Sequence, residues 1–253
     1  YLTEIGGITL PLVGYLKPWQ ATFIFVGLPG VLIALCAFLM VEPKRVNIVK
    51  EPKNKPNVKQ LFLHIYKHKE TLIPMFIGLI FMSMIFYSFT FWAPTMMVRS
   101  YGLSLTEVGL ILGMITIVSS ISGTIFAGII VDLLRVRNYK DAPIRVAMFA
   151  VVLAFPSMAL APLMESITLS WILIAFYLFF ISSFAPLGLL AVSGISSGDI
   201  KGQMVAIYAF VVMVFGLSLG PQLTAFFTDF LFKDTSKLGL SMSLTASIVL
   251  PLS

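Results

Sequence analysis

The sequence predicts an all-α polytopic membrane protein with about eight transmembrane helices, and three observations carry that prediction. Apolar residues fill 58% of the 253 positions and charged residues only 11%, with a mean hydropathy of +0.99. A soluble domain carries about 25% charge to cover its surface. Apolar runs of about 20 residues recur along the chain, the length a helix needs to cross roughly 30 Å of hydrocarbon. Within those runs the residues do not alternate strictly, which excludes barrel strands and leaves helices as the spanning solution.

The hydropathy pattern places helices at 2–17, 20–41, 71–97, 104–131, 143–163, 169–193, 203–230 and from 238 onward. The first run carries one acid, Glu4. Counted from Leu16 at 1.5 Å per residue, Glu4 lies about 18 Å deep, where a carboxylate is retained only if protonated or paired. Glu4 is therefore a coupling candidate if that run spans, and a surface residue if a loop precedes it. Both ends of the chain fall inside apolar runs, without an initiator Met or a signal-peptide pattern, so the sequence reads as a fragment. The single cysteine, Cys36, has no intrachain partner and reads as a packing residue.

Between the second and third runs lies a basic stretch, 42–70, with eight Lys/Arg against Glu42, Glu51 and Glu70, and with Pro43, Pro52 and Pro56 in its first part. Residues 57–69 are expected to form a short surface helix, with Val58, Leu61, Phe62 and Ile65 on its apolar side. Arg135, Arg137, Lys140, Arg145 and Lys201 fall on the same side as this stretch, and only Lys17, Arg99, Lys233 and Lys237 on the other, thirteen basic residues against four. That asymmetry makes the linker cytoplasmic. The same topology accounts for the pI near 9.4, so no nucleic-acid partner is expected.

Gly6-Gly7-Ile8-Thr9-Leu10-Pro11 resembles Gly216-Leu217-Ser218-Leu219-Gly220-Pro221, an internal repeat that makes the first and seventh runs equivalent members of two six-helix halves. Two halves joined by a basic cytoplasmic linker resemble the major facilitator superfamily. The loop Gly128-Ile129-Ile130-Val131-Asp132-Leu133-Leu134-Arg135-Val136-Arg137 is similar to that superfamily's Gly-x-x-x-Asp motif with spaced basic residues. Gly128 is expected to allow close helix approach, and Asp132 to face a helix N-terminus or the Arg135/Arg137 pair, contacts that hold one conformation and break in the other. Trp19-Gln20-Ala21-Thr22-Phe23, Gly27-Leu28-Pro29-Gly30 and Glu42-Pro43-Lys44-Arg45 resemble the sixth helix of its spinster-like and anion-symporter branches, with Gln20 where those proteins usually have Arg. Trp92-Ala93-Pro94, the stretch from Arg99 to Ser104 with Gly109, and Lys201-Gly202-Gln203 resemble the same branches' later helices. The resemblance implies a major facilitator fold with about eight of twelve helices present. Residues 1–41 would end the N-terminal half (helices five and six), 42–70 form the linker, and 71–253 form the C-terminal half, its last helix truncated.

The chemistry expected is transport, not catalysis. No Gly-x-x-x-x-Gly-Lys-Ser/Thr loop and no acid/His cluster within a span is present, so no cofactor, metal or enzymatic activity is expected. His64 and His68, four apart in the linker, read as solvated or headgroup-facing side chains. The resemblance turns the central cavity toward Tyr87, Trp92, Thr116, Ser119, Tyr177, Ser182, Ser183, Tyr208 and Gln222, which offer stacking and single hydrogen bonds but no fixed charge. An anion carrier presents Arg or Lys to its substrate, so the spans favour an amphipathic or lipid-like solute, the substrate type associated with the spinster-like branch. The expectation is a monomeric, multi-pass secondary transporter of the bilayer, at a bacterial inner (plasma) membrane, working by alternating access with protons or another coupling ion. The alternatives are an organic-anion/proton symporter and a non-transporting receptor of the same fold.

Overall fold

The computed structural model describes residues 8–10, 14–39, 58–196 and 200–253. The chain divides into two compact units, Tyr1–Lys53 and Asn54–Ser253.

In the first unit, two short strands, β1 (Ile8–Leu10) and β2 (Gly14–Leu16), pair antiparallel with Ile8 opposite Leu16 and Leu10 opposite Gly14. This corrects the helix expected over 2–17. Pro11 biases the preceding residue toward extended backbone, and Gly14 sits at φ +80°, in the left-handed region. Helix α1 (Pro18–Ala37) follows, with Pro18 at its first position. Its end is closed by Gln20, whose Oε1 accepts the Lys17 backbone N–H at 2.9 Å. Apart from Ala21, the described α1 side chains are exposed or half-buried, as in a helix apolar on every face.

The second unit contains helices α2 (Val58–Lys67), α3 (Lys69–Tyr101), α4 (Leu105–Val136), α5 (Ala142–Leu160), α6 (Ile167–Ile181), α7 (Phe184–Ile195), α8 (Lys201–Phe226) and α9 (Leu238–Val249). Among the described residues of the whole chain, six segments are long and apolar enough to cross a membrane: Pro18–Cys36, Lys69–Tyr101, Leu105–Val136, Ala142–Leu163, Ile167–Ile195 and Lys201–Phe232. The eight expected spans are thus six in the described residues, because the first run holds the hairpin and α9 has 12 residues. The helix expected over 169–193 is also divided, since Ser182 and Ser183 form a turn between α6 and α7.

Local chemistry fixes the boundaries. Gly102 ends α3 at φ +67°, where its N–H reaches the Val98 carbonyl. Two residues on, Ser104 and Glu107 form a capping box for α4: Ser104 Oγ accepts the Glu107 N–H at 3.2 Å, and Glu107 Oε2 accepts the Ser104 N–H at 2.9 Å. Past α8 the chain continues as a π-helical turn over Phe227–Phe232, then reverses at Lys233, φ +52°.

The core forms around α3, which packs most extensively on α8 and also meets α9, α4 and α7. Two close approaches set this packing. A Cβ at Gly220 of α8 would overlap the Met84 carbonyl of α3, and one at Gly123 of α4 would overlap the backbone of Phe179 on α6. A buried hydroxyl chain then locks α3, α8 and α9 together. Ser88 Oγ lies 2.7 Å from Thr224 Oγ1, which lies 2.9 Å from Thr245 Oγ1. Thr245 donates its only proton to the Ser241 carbonyl at 2.8 Å, so Thr224 must donate to Thr245 and Ser88 to Thr224.

Helix α2 rests on this unit through Leu61, which is buried in the core cluster, and Ile65, packed against it. His64 and His68 face each other with ring centroids 4.6 Å apart, and buried His64 Nε2 has no hydrogen-bond partner. Burial, then the neighbouring His68 and Lys67, hold the His64 imidazole below its ordinary value of 6.5. A lowered folded-state pKa means the undocked helix binds the proton more tightly. Docking is therefore at full strength above pH 6.5 and weakens as pH falls from there through the lowered value. In a Cys36→Ala background, maleimide labelling of Leu61→Cys relative to exposed Val136→Cys is expected to rise on acidification. A constant ratio from pH 7.5 to about 5.5 excludes a role for His64.

Candidate functional site

The spanning helices alternate in direction, so each bundle end gathers alternate connections. At one end, here the linker end, lie the start of α3, the α4–α5 connection and the start of α8; at the far end lie Gly102–Ser104, the α5–α6 connection and Lys233–Lys237. The far end is tied by Tyr101 Oη donating to the Met164 carbonyl at 2.6 Å and by Arg99 Nη1 donating to the Thr235 carbonyl at 3.3 Å. Arg99 thus meets a backbone oxygen at the mouth of the bundle. Every charged side chain of the described spanning segments lies within five residues of a segment end.

The side chains expected to share one cavity are distributed over several packing roles. Trp92 Nε1 donates to the Pro221 carbonyl at 2.9 Å, so its polar atom pins α3 to the proline-containing turn of α8. Tyr177 is fully buried against Phe89, ring centroids 4.9 Å apart, and its Oη has no partner. Tyr208 Oη donates to the Ala185 carbonyl at 3.2 Å, joining α8 to α7, and its ring fills the space left by Gly188. Tyr87 is half-buried and stacks edge-on against Phe86. Ser182 meets α4: Thr124 Oγ1 lies 3.4 Å from its hydroxyl, and the Ser120 carbonyl accepts from it at 3.3 Å. Ser183 donates to the Phe180 carbonyl at 3.1 Å, the local bond that bends a helix end. Ser119 is buried, whereas Thr116, one turn earlier on α4, is exposed.

Two recesses lie among the described residues near these helices. The larger, about 730 Å³, lies between the linker-end halves of α3 and α5, α7 and the turn Leu250–Leu252. Its wall is aliphatic and aromatic (Met75, Leu79, Met82, Val151, Phe155), with Glu70 and Thr71 as the polar side chains beside Ser253. None of the expected cavity residues lines it. Its components are ordinary apolar positions, so no sequence signal singled them out. The smaller recess, about 500 Å³, runs along the far third of α8 and is lined by Gln222 with Asp229, Phe226 and Met84. Gln222 is thus an expected residue that lines a recess, and Asp229 is an addition to it.

The loop motif is also rearranged relative to expectation. Asp132, Arg135 and Arg137 are exposed, and among the described residues no ion pair joins Asp132 to either arginine. A Cβ on Gly128 meets nothing within 4 Å, so Gly128 makes no close helix approach within the described chain; Gly123, five residues earlier, does. The ion pair of this loop is Asp141–Arg145, Oδ2 to Nε 2.8 Å, with the Arg145 guanidinium 4.8 Å above the Tyr139 ring. Its four-residue Asp–Arg spacing is the signal that finds it in sequence. Glu4 lies outside the described residues, as do linker residues 42–57 and Pro11 of the repeat. Among the described residues, no three His, Cys, Asp or Glu side chains gather where a metal ion would sit.

The sequence profile described as Major Facilitator Superfamily matches residues 3–221. No curated protein matches the chain. Among solved structures, it is similar to a bacterial homologue of the human lysosomal transporter Spinster in two inward-facing states. The unoccupied state aligns with a TM-score of 0.63 and 19% identity over 93% of this chain and 57% of that one. The occupied state aligns with a TM-score of 0.64 and 19% identity over 93% and 56%. The chain therefore spans a little over half the length of these proteins, and at this identity the likeness is one of fold.

Proposed function

The chain belongs to the Major Facilitator Superfamily, and from that premise we propose that it forms part of a secondary transporter that moves an amphipathic, lipid-like solute by alternating access, with protons as the coupling ion. The substrate class is carried by the interior of the described spanning segments, which offers rings, hydroxyls and apolar side chains and keeps every charged side chain near a segment end. A small organic anion needs a cation to replace its water, and among the described residues the middle of every spanning segment lacks Lys and Arg. An acyl chain needs only apolar wall.

Alternating access is supported by the superfamily and by the likeness to inward-facing structures. The linker is read as cytoplasmic from the basic bias of its side, and the membrane as a bacterial inner membrane. Coupling rests on Glu4, by the cost of a carboxylate within a span.

The test is uptake by proteoliposomes holding the full-length protein, with lysolipids and small organic anions offered under an imposed proton gradient. Lysolipid uptake that collapses with the gradient is the expected result. Organic-anion uptake without lysolipid uptake would replace the substrate class, and binding without uptake of either would favour a receptor. In the same assay, Glu4→Gln is expected to flatten the pH dependence of uptake; an unchanged profile removes Glu4 from coupling.

A further inference from the structure

We propose that the exposed face of α2 is a docking surface for the anionic lipid headgroups of the leaflet at the linker end, which makes α2 a strap held between bundle and membrane. The helix has two apolar faces. Leu61 and Ile65 point into the core cluster. Roughly a third of a turn round, Phe62, Leu63 and Tyr66 are 65%, 66% and 68% exposed, with Tyr66 beside the other two by its three- and four-residue spacing. Three large apolar side chains on a ten-residue helix are a surface that water does not favour and that no described part of the chain covers.

Position and charge select the occupant. His68 alone separates α2 from α3, and its carbonyl accepts the Leu72 N–H at 2.9 Å in the first turn of the spanning helix. At 1.5 Å per residue, the end of α2 lies within about 10 Å of the apolar run that starts at Leu72, the depth at which headgroups lie. Between positions 58 and 69 the chain carries Lys59, Lys67 and Lys69 and no Asp or Glu. Lys69 Nζ sits 4.5 Å over the Tyr66 ring, so cation and aromatic face are presented together. Aromatic side chains flanked by lysines match an interface of acyl chains below and phosphates above. This surface is independent of the transported solute and of its coupling.

The experiment uses the full-length protein in nanodiscs of phosphatidylcholine, with or without about 30% phosphatidylglycerol. A fluorophore is placed at Phe62→Cys, and separately at Tyr66→Cys, in a Cys36→Ala background, and quenched by lipids brominated high on the chain. Quenching is expected to increase at least about twofold with the anionic lipid. It should return to the neutral-lipid level at high salt or on combining Lys59→Glu with Lys67→Glu. Equal quenching in neutral and anionic discs overturns the headgroup assignment. Labels shielded from water and lipid alike also overturn it, because the face is then covered by protein.

Discussion

Replacing Gly123 by alanine is expected to destabilise this chain by roughly 3 kcal/mol, while the same change at Gly113 on the same helix is expected to be neutral or to stabilise it by up to about 1 kcal/mol. Both are helical positions, so alanine recovers the backbone entropy that glycine forfeits. They differ in what the new methyl meets. At Gly113 nothing lies within 4 Å, whereas at Gly123 the methyl meets the carbonyl oxygen, carbonyl carbon and Cα of Phe179. Those atoms belong to α6 and cannot turn aside as a flexible side chain would. α4 and α6 must separate, which also draws apart the Thr124, Ser120 and Ser182 contacts across the same seam. Thermal unfolding in detergent reads the difference, a fall of about 10 °C for the first variant and no fall for the second. Equal melting temperatures for the two would show that the seam closes by other means. Gly220→Ala provides a second case, because its obstacle is again backbone, the Met84 carbonyl.

The second large effect is expected at Thr224. Valine keeps its shape and removes its hydroxyl, so Ser88 loses an acceptor and Thr245 loses a donor. Both are buried, and each group left without its partner costs about 1 kcal/mol in a membrane bundle. The expected loss is about 2 kcal/mol for Thr224→Val. Adding Ser88→Ala should make matters little worse, because its partner has already gone. Simple additivity in that double-mutant cycle would show that the three hydroxyls act separately. Trp92, whose Nε1 meets the Pro221 carbonyl one turn from Thr224, supports the same junction by a bond that does not pass through the hydroxyl chain.

What the sequence made legible is what depends on one residue and its near neighbours. Apolar runs located the spanning helices, and α4 and α8 begin within two residues of expectation. Features that depend on partners distant in sequence were not legible. Ser182 and Ser183 read as cavity candidates because the resemblance turns their helix toward the cavity, and the fold also uses them to end one helix and begin another. Trp92 and Tyr208 read as cavity aromatics, yet their polar atoms are consumed by carbonyls 129 and 23 residues away. The hairpin at Ile8–Leu16 was hidden by composition, since three-residue strands of apolar residues look like part of a helix. The larger recess was invisible for the opposite reason, being made of shape and not of marked residues.

The interruption at Ser182–Ser183 also has a mechanical meaning. On one side, α6 is fastened to α4 by Ser182 and by the Gly123 contact; on the other, α7 is fastened to α8 by the Tyr208–Ala185 bond and the Gly188 contact. A continuous helix would transmit any tilt of α4 to α8 as a rigid lever. Two turn residues with local hydroxyl–carbonyl bonds form a compliant joint instead. Bending between α6 and α7 is thereby concentrated at this vertex, while α5, packed against both, keeps the two sides in register.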